Sequence, residues 1–142
     1  MNQAELDHVL EQHRLWAETG GAEGEQVDLQ DANLTNADLQ DANLPYANLQ
    51  GANLSGANLQ GADLTDADLP YANLQGADLT GAYLWCADLT DADFREAKLD
   101  IRIRDCFSFE RAKFTPDALP WLVLHPKWAE MQKTVQIEEA AE

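Results

Sequence analysis

Residues 47–66 read ANLQG ANLSG ANLQG ADLTD, successive units of five with Leu at the centre of each. Working outward, VDLQD ANLTN ADLQD ANLPY precede them from Val27, and ADLPY ANLQG ADLTG AYLWC ADLTD ADFRE AKLDI follow. A large apolar residue recurs at every fifth position: Leu29, Leu34, Leu39, Leu44, Leu49, Leu54, Leu59, Leu64, Leu69, Leu74, Leu79, Leu84 and Leu89, then Phe94 and Leu99. Ala stands two residues earlier from Ala32 to Ala97, with Val27 in its place in the first unit. The register resumes at Phe109 and Phe114, which makes eighteen units between residues 27 and 114.

A period of five is neither that of an amphipathic helix nor that of a flat strand. On a helix each step of five would swing by about 140° and scatter the leucines. On a strand an odd spacing would throw alternate leucines to opposite faces. A path that turns by a fixed angle every five residues keeps them all inside. Such a path is a solenoid whose coils stack by backbone pairing. The period alone leaves the number of sides per coil open. Each buried Leu would contribute roughly 1.5–3 kcal/mol, and Ala fits where a corner has no room for more. Gly51, Gly56, Gly61, Gly76 and Gly81 fall at turns that call for positive φ.

The A-(D/N)-L-x-x unit resembles the pentapeptide repeat family over 88 of 142 residues. The resemblance implies an all-β solenoid, a right-handed quadrilateral parallel β-helix with four units per coil. The chain would then make about four and a half coils, roughly 20 Å long at strand spacing. It also implies Leu and Phe in the bore, Ala inward at a corner, and the intervening Asp or Asn facing solvent. The expected organisation is an N-terminal helical cap over 1–26, the β-helix over 27–114 and a C-terminal helical segment over 115–142.

The ends read as caps. Leu6, Val9, Leu10, His13, Trp16 and Ala17 share one face of a helix that Gly20–Gly21 would stop. The stretch from His13 and Trp16 to Gly20 and Gly24 is similar to segments that lead into the first coil in other family members. Thr115-Pro116-Asp117 is a helix start. Trp128, Met131 and Val135 lie on one stripe of a second helix, expected over 126–139. Closing the C-terminal edge is the role read for 116–124; the later helix is a candidate for pairing with a second copy in a homodimer.

Charge narrows the function. The chain carries 26 Asp+Glu against 9 Lys+Arg, a net −17. Residues 27–94 hold eleven Asp and neither Lys nor Arg. Direct nucleic-acid binding and docking on anionic lipid both need the opposite sign. No run of 18 apolar residues suggests a membrane span, and the N-terminus lacks the pattern of a signal peptide. A cytoplasmic, bacterial protein is the expectation.

The residues offer little to catalysis. His8, His13 and His125 all lie outside the repeats, and His13 reads as a packed histidine. No CxxC, HExxH, phosphate-cradling Gly loop or calcium-binding nonapeptide is present, so no cofactor or metal is expected. Thr35, Thr65, Thr80 and Thr90 would fall on four different sides of a 20-residue coil, which removes the flat Thr array of an ice-binding solenoid. Cys86 and Cys106 are 20 residues apart, so they would stack within disulfide reach; two free thiols in a reducing cytosol are the alternative. Arg102 and Arg104 interrupt the apolar register, through either a one-residue slip or a bulge. They belong to a basic band with Arg95, Lys98, Arg111 and Lys113. Tyr83 and Trp85 would point outward as an apolar patch.

The expected function is a non-catalytic scaffold that binds a protein partner through a rigid acidic β-helix. Asp63, Asp68, Asp88, Tyr83, Trp85, Trp128 and Met131 are the candidate partner surface. The alternative comes from the resemblance: an acidic branch of the family mimics duplex DNA and occupies DNA gyrase, or another DNA-binding protein, through its acidic face.

Overall fold

A computed structural model describes residues 1–100, 110–116 and 135–137. From Asp28 onward, parallel bridges join each residue before a central Leu to its counterpart 20 positions later: Asp28 to Asn48, Asn33 to Asn53, Asp38 to Asn58 and Asn43 to Asp63. The same four rows continue to Asp88, Asp93, Lys98 and Tyr83, and the second reaches Lys113. The coil is therefore four-sided. Its first wall carries residues 28, 48, 68 and 88; its second, 33, 53, 73, 93 and 113. The third carries 38, 58, 78 and 98, and the fourth 43, 63 and 83.

Backbone bonding explains the five-residue step. Leu29 N–H donates to Asn48 C=O at 2.8 Å, and Asp31 N–H donates to Gln50 C=O at 2.8 Å. The chain then turns at once, because Ala32 N–H closes back on Leu29 C=O at 3.1 Å. Each wall is thus one bridged residue wide, too short to read as an extended strand. The third residue of each turn sits at positive φ, as type II geometry requires. The five expected glycines do so, at 65° to 73°. So do Asp31, Asn36, Asp41, Tyr46, Asp66, Tyr71, Cys86, Asp91 and Glu96. The stacked coils hold these corners in a conformation that the residues themselves disfavour.

Asp or Asn before Leu has its own cause. The side-chain oxygen accepts the N–H two residues on: Gln30 to Asp28 at 3.1 Å, Ser55 to Asn53 at 3.1 Å, Thr65 to Asp63 at 3.0 Å. These are Asx turns, repeated up the walls. Asn43 and Asp68 are exceptions because Pro45 and Pro70 have no N–H to offer.

The leucines form the expected column. Leu39, Leu59 and Leu79, stacked on the third wall, are 1%, 0% and 2% exposed. Every central Leu from Leu29 to Leu89 is buried, as are Phe94 and Phe114, whose rings stack at 5.0 Å. Leu99 is half-buried against the same core. Phe109 lies outside the described residues.

Helix α1 (Gln3–Glu18) covers the first coil and begins with a capping box between Asn2 and Glu5. Leu6 is buried, and Val9 and Leu10 pack on the core. The polar contacts are more informative. Gln3 Nε2 donates to Asp38 C=O at 3.1 Å, while Asp38 N–H donates to Gln3 Oε1 at 3.2 Å. A side-chain amide thus pairs with the exposed edge as a further strand would. Gln26 Nε2 donates to Tyr46 C=O at 2.8 Å. An open parallel edge invites association, and these amides occupy part of it.

The C-terminal end departs from the helical expectation. Strand β1 (Lys113–Phe114) pairs in parallel with β2 (Gln136–Ile137), and Gln136 N–H donates to Ala112 C=O at 2.8 Å. A helix over 126–139 therefore does not run through 136–137. Val135 packs on the core and the backbone of 136–137 is used by the last coil's edge. Trp128, Met131, His125, Arg102, Arg104 and Cys106 lie outside the described residues. Cys86 is an exposed free thiol at a corner with φ of 57°, and its pairing with Cys106 falls outside the described residues. Among the described residues, no helix is long and apolar enough to cross a membrane.

Candidate functional site

The 20-residue repeat gathers residues that the sequence scatters. Asp63 and Tyr83 are bridged partners on the fourth wall, and Asp68 and Asp88 are bridged partners on the first. Between the two walls runs the corner that holds Tyr46, Asp66 and Cys86. Trp85, two residues after Tyr83, completes the fourth-wall group. Five of the seven candidate residues thus surround one corner, and the other two, Trp128 and Met131, lie outside the described residues. Sequence reasoning missed Asp66, and it read Cys86 as a disulfide candidate and not as part of this surface, to which both belong. Only the chain position modulo 20, applied after the coil size is known, could have found them.

The aromatic part is open: Trp85 is 65% exposed and Tyr83 52%. Large apolar side chains on a wall whose other outward positions are Asn43, Pro45, Asp63 and Thr65 are what an interaction surface presents. The turn chemistry explains the carboxylates' partners. Asp63 accepts the Thr65 N–H at 3.0 Å, and Asp88 accepts both the N–H and the hydroxyl of Thr90, at 3.0 and 2.6 Å. Among the described residues Asp66 and Asp68 have no side-chain partner. Asp68 also faces Asp88 across a bridge, a like-charge pairing that costs stability.

Cations gather elsewhere. Arg95 pairs with Asp93 on the second wall, Lys98 with Asp78 on the third, and Arg111 with Asp91 on the corner between first and second. Lys98 and Arg111 each reach the carboxylate one coil below. Burial alone would push the Asp78 carboxyl up, but bonds from Thr80, Gln60 and Lys98 bring it down to about 2. The Arg111 guanidinium holds Asp91 below the usual carboxylate range. Burial also opposes ionisation of Asp93, and Arg95 and Gln75 more than offset it. Asp63, Asp66, Asp68 and Asp88 have no such cation among the described residues. Thr35, Thr65, Thr80 and Thr90 do fall on four different walls. No group of three or more His, Cys, Asp or Glu is placed to hold a metal ion among the described residues.

Comparison with known proteins agrees with this geometry. The family model for pentapeptide repeats matches residues 25–61, 47–85 and 72–100. Among solved structures, a pentapeptide repeat protein of the Arabidopsis thaliana thylakoid lumen is 33% identical, with a TM-score of 0.56 over 63% of this chain and 62% of its own. HetL, a pentapeptide repeat protein of the cyanobacterium Nostoc involved in regulating heterocyst differentiation, is 30% identical. Its TM-score is 0.55 over 64% of this chain and 43% of its own. The chain thus spans less than two thirds of either neighbour. No curated protein matches the sequence. The neighbours imply that the four-sided coil is a right-handed quadrilateral β-helix. The repeat, the 20-residue coil and the family match agree: the chain belongs to the pentapeptide repeat family.

Proposed function

We propose that the protein is a non-catalytic interaction scaffold of about four and a half coils, capped at both ends, that binds a protein partner at the corner between its fourth and first walls. The observation that carries this reading is exposed Trp85 and Tyr83 beside carboxylates that no cation among the described residues neutralises. A partner surface bearing Arg or Lys complements both features, by ion pairs to the carboxylates and by stacking of a guanidinium on the indole. A cytoplasmic, bacterial setting is part of this reading and rests on the acidic, cysteine-poor composition.

The test is affinity capture from the native cell with the wild-type chain, Trp85→Ala and Asp66→Asn/Asp68→Asn in parallel. A partner retained by the wild type at low salt, and lost by both variants, is the expected result. Variants that hold every partner of the wild type would remove this corner from the function.

The pairing of Asp68 with Asp88, with no cation beside them among the described residues, also supports the DNA-mimic reading. Against it, Asn48 interrupts the same row and Asp91 is already paired with Arg111. A gyrase supercoiling assay separates the two: mimicry requires an effect at micromolar protein that Asp63/Asp68/Asp88→Asn abolishes. A homodimer through the C-terminal segment is a further partner in this proposal, although β2 is used by the chain's own last coil. Sedimentation of the chain and of a truncation at Thr115 tests it.

A further inference from the structure

Helix α1 is fastened to the first coil through a buried imidazole. His13 is 0% exposed. Its Nδ1 accepts the Val27 N–H at 3.0 Å, and its Nε2 lies 2.9 Å from the Pro45 carbonyl oxygen. A carbonyl only accepts, so Nε2 carries the proton and Nδ1 is bare. The bridge thus needs one tautomer of the neutral ring. Val27 opens the first coil and Pro45 lies near its close, so a single side chain ties the helix to both ends of that coil. The ring stacks on Trp16 at 5.4 Å, and Trp16 meets Tyr46 edge-on at 6.3 Å.

We propose that His13 is an acid-sensitive latch: a proton on Nδ1 removes the acceptor of the Val27 N–H, sets two donors against each other, and releases the C-terminal half of α1 from the first coil. The release uncovers the edge atoms at Val27 and Pro45 and the first leucines of the column, while the Gln3–Asp38 pair still tethers the helix start.

The surroundings favour the neutral ring. On its own helix, Arg14 is engaged by Glu11 and Glu18. From the connecting loop Glu25, and from the coil Asp28, line the neighbouring cleft together with His8. The coil otherwise presents the Val27 amide, the Pro45 carbonyl and, beyond Trp16, the Tyr46 phenol. Among the described residues no carboxylate bonds to the ring to hold its charged form. Burial lowers its pKa from 6.5, opposed by the Pro45 bond. A depressed value in the docked state means that docking is at full strength above about 6.5. It weakens as pH falls towards the docked value, with the opening constant rising by up to about tenfold per pH unit.

Hydrogen exchange of the α1 amides between pH 8 and 5, corrected for intrinsic rates, tests the latch in the full chain. The wild type is expected to open progressively below about pH 6.5, with Leu59 and its neighbours unchanged. Gln at position 13 cannot titrate, so His13→Gln loses the pH dependence, whether it leaves the helix docked or open throughout. His8→Gln and His125→Gln keep the dependence. Imidazole nitrogen NMR of the unaltered chain reads the latch independently: a bare Nδ1 at neutral pH, and a His13 midpoint below 6.5 that coincides with opening. Opening that ignores pH, a His13 midpoint at 6.5 or above, or a His13→Gln chain that follows the wild-type profile would each overturn the proposal.

Discussion

The middle coils, 47–86, and the described residues that follow them, 87–100 and 110–116, share one frame and stack it differently. In the middle, leucines fill the bore, and neighbouring coils meet through amides and carboxylates. Asn58 Nδ2 reaches Asp38 at 3.2 Å, and Gln60 Nε2 reaches Asp78 at 2.8 Å. Further along, the stacked rings of Phe94 and Phe114 take over the bore, and Lys98 and Arg111 replace the amides as cross-coil partners. The difference teaches which part of the unit is obligatory. The apolar column continues through both regions, whereas the surface contacts between coils are met by whichever polar groups are present. The corner between the fourth and first walls has neither solution in full, and it is there that charge unpaired among the described residues meets exposed aromatics.

The sharpest way to break this comparison is to cut the column. Leu59→Ala should lose about 2–5 kcal/mol of unfolding free energy in a denaturant titration, because the coils on both sides cannot collapse into the gap. A loss no larger than that of a surface substitution would shift the main stabilising term to the walls.

The corners offer a finer comparison. Gly76 has φ of 65° and nothing near the position a Cβ would take, so Gly76→Ala should cost about 1–2 kcal/mol from backbone conformation alone. A Cβ at Gly61 would run into Asp41 Oδ1 of the coil below. Gly61→Ala should therefore cost more than Gly76→Ala, and Asp41→Ala in the same chain should bring the two to equality. Thermal melts of these variants, with Asp41→Ala alone as the reference for the double change, check it; equal costs without the Asp41 change would deny the cross-coil contact.

The smallest effects lie in the charges. Arg111→Gln should lower the melting temperature only slightly, since its pair with Asp91 is half-exposed and screened by solvent. High salt should shrink that effect. Asp88→Asn should instead stabilise the chain by a few tenths of a kcal/mol at low salt, by relieving the repulsion from Asp68 while keeping the oxygen that Thr90 uses. Destabilisation by Asp88→Asn would mean that this carboxylate has a partner.

Much of the fold was legible in the repeat because a spacing of five is incompatible with any straight element. The spacing put the leucines inside, the alanines behind them and glycines at the turns. Helical periodicity before the repeats likewise assigned His13 to the packed face of a helix. The repeat could not reveal that Gln3 imitates a strand at Asp38, or that His13 uses both ring nitrogens. Apolar periodicity shows which face of a helix is covered and says nothing of the backbone atoms it meets. The helix expected over 126–139 does not run through 136–137 for a related reason. The apolar spacing there suits a helix, but unpaired edge groups at Ala112 offered the backbone of 136–137 a partner that no local pattern records.

The sequence by itself determined that the chain coils around an apolar column, since a regular period dictates which side chains leave water. The number of walls, the corner where Asp63, Asp66, Asp68, Tyr83 and Trp85 converge, and the closing of each end were decided by tertiary structure. Those depend on which backbone groups pair across twenty residues and more, and hydrogen bonds at that distance leave no trace in the identity of neighbouring residues.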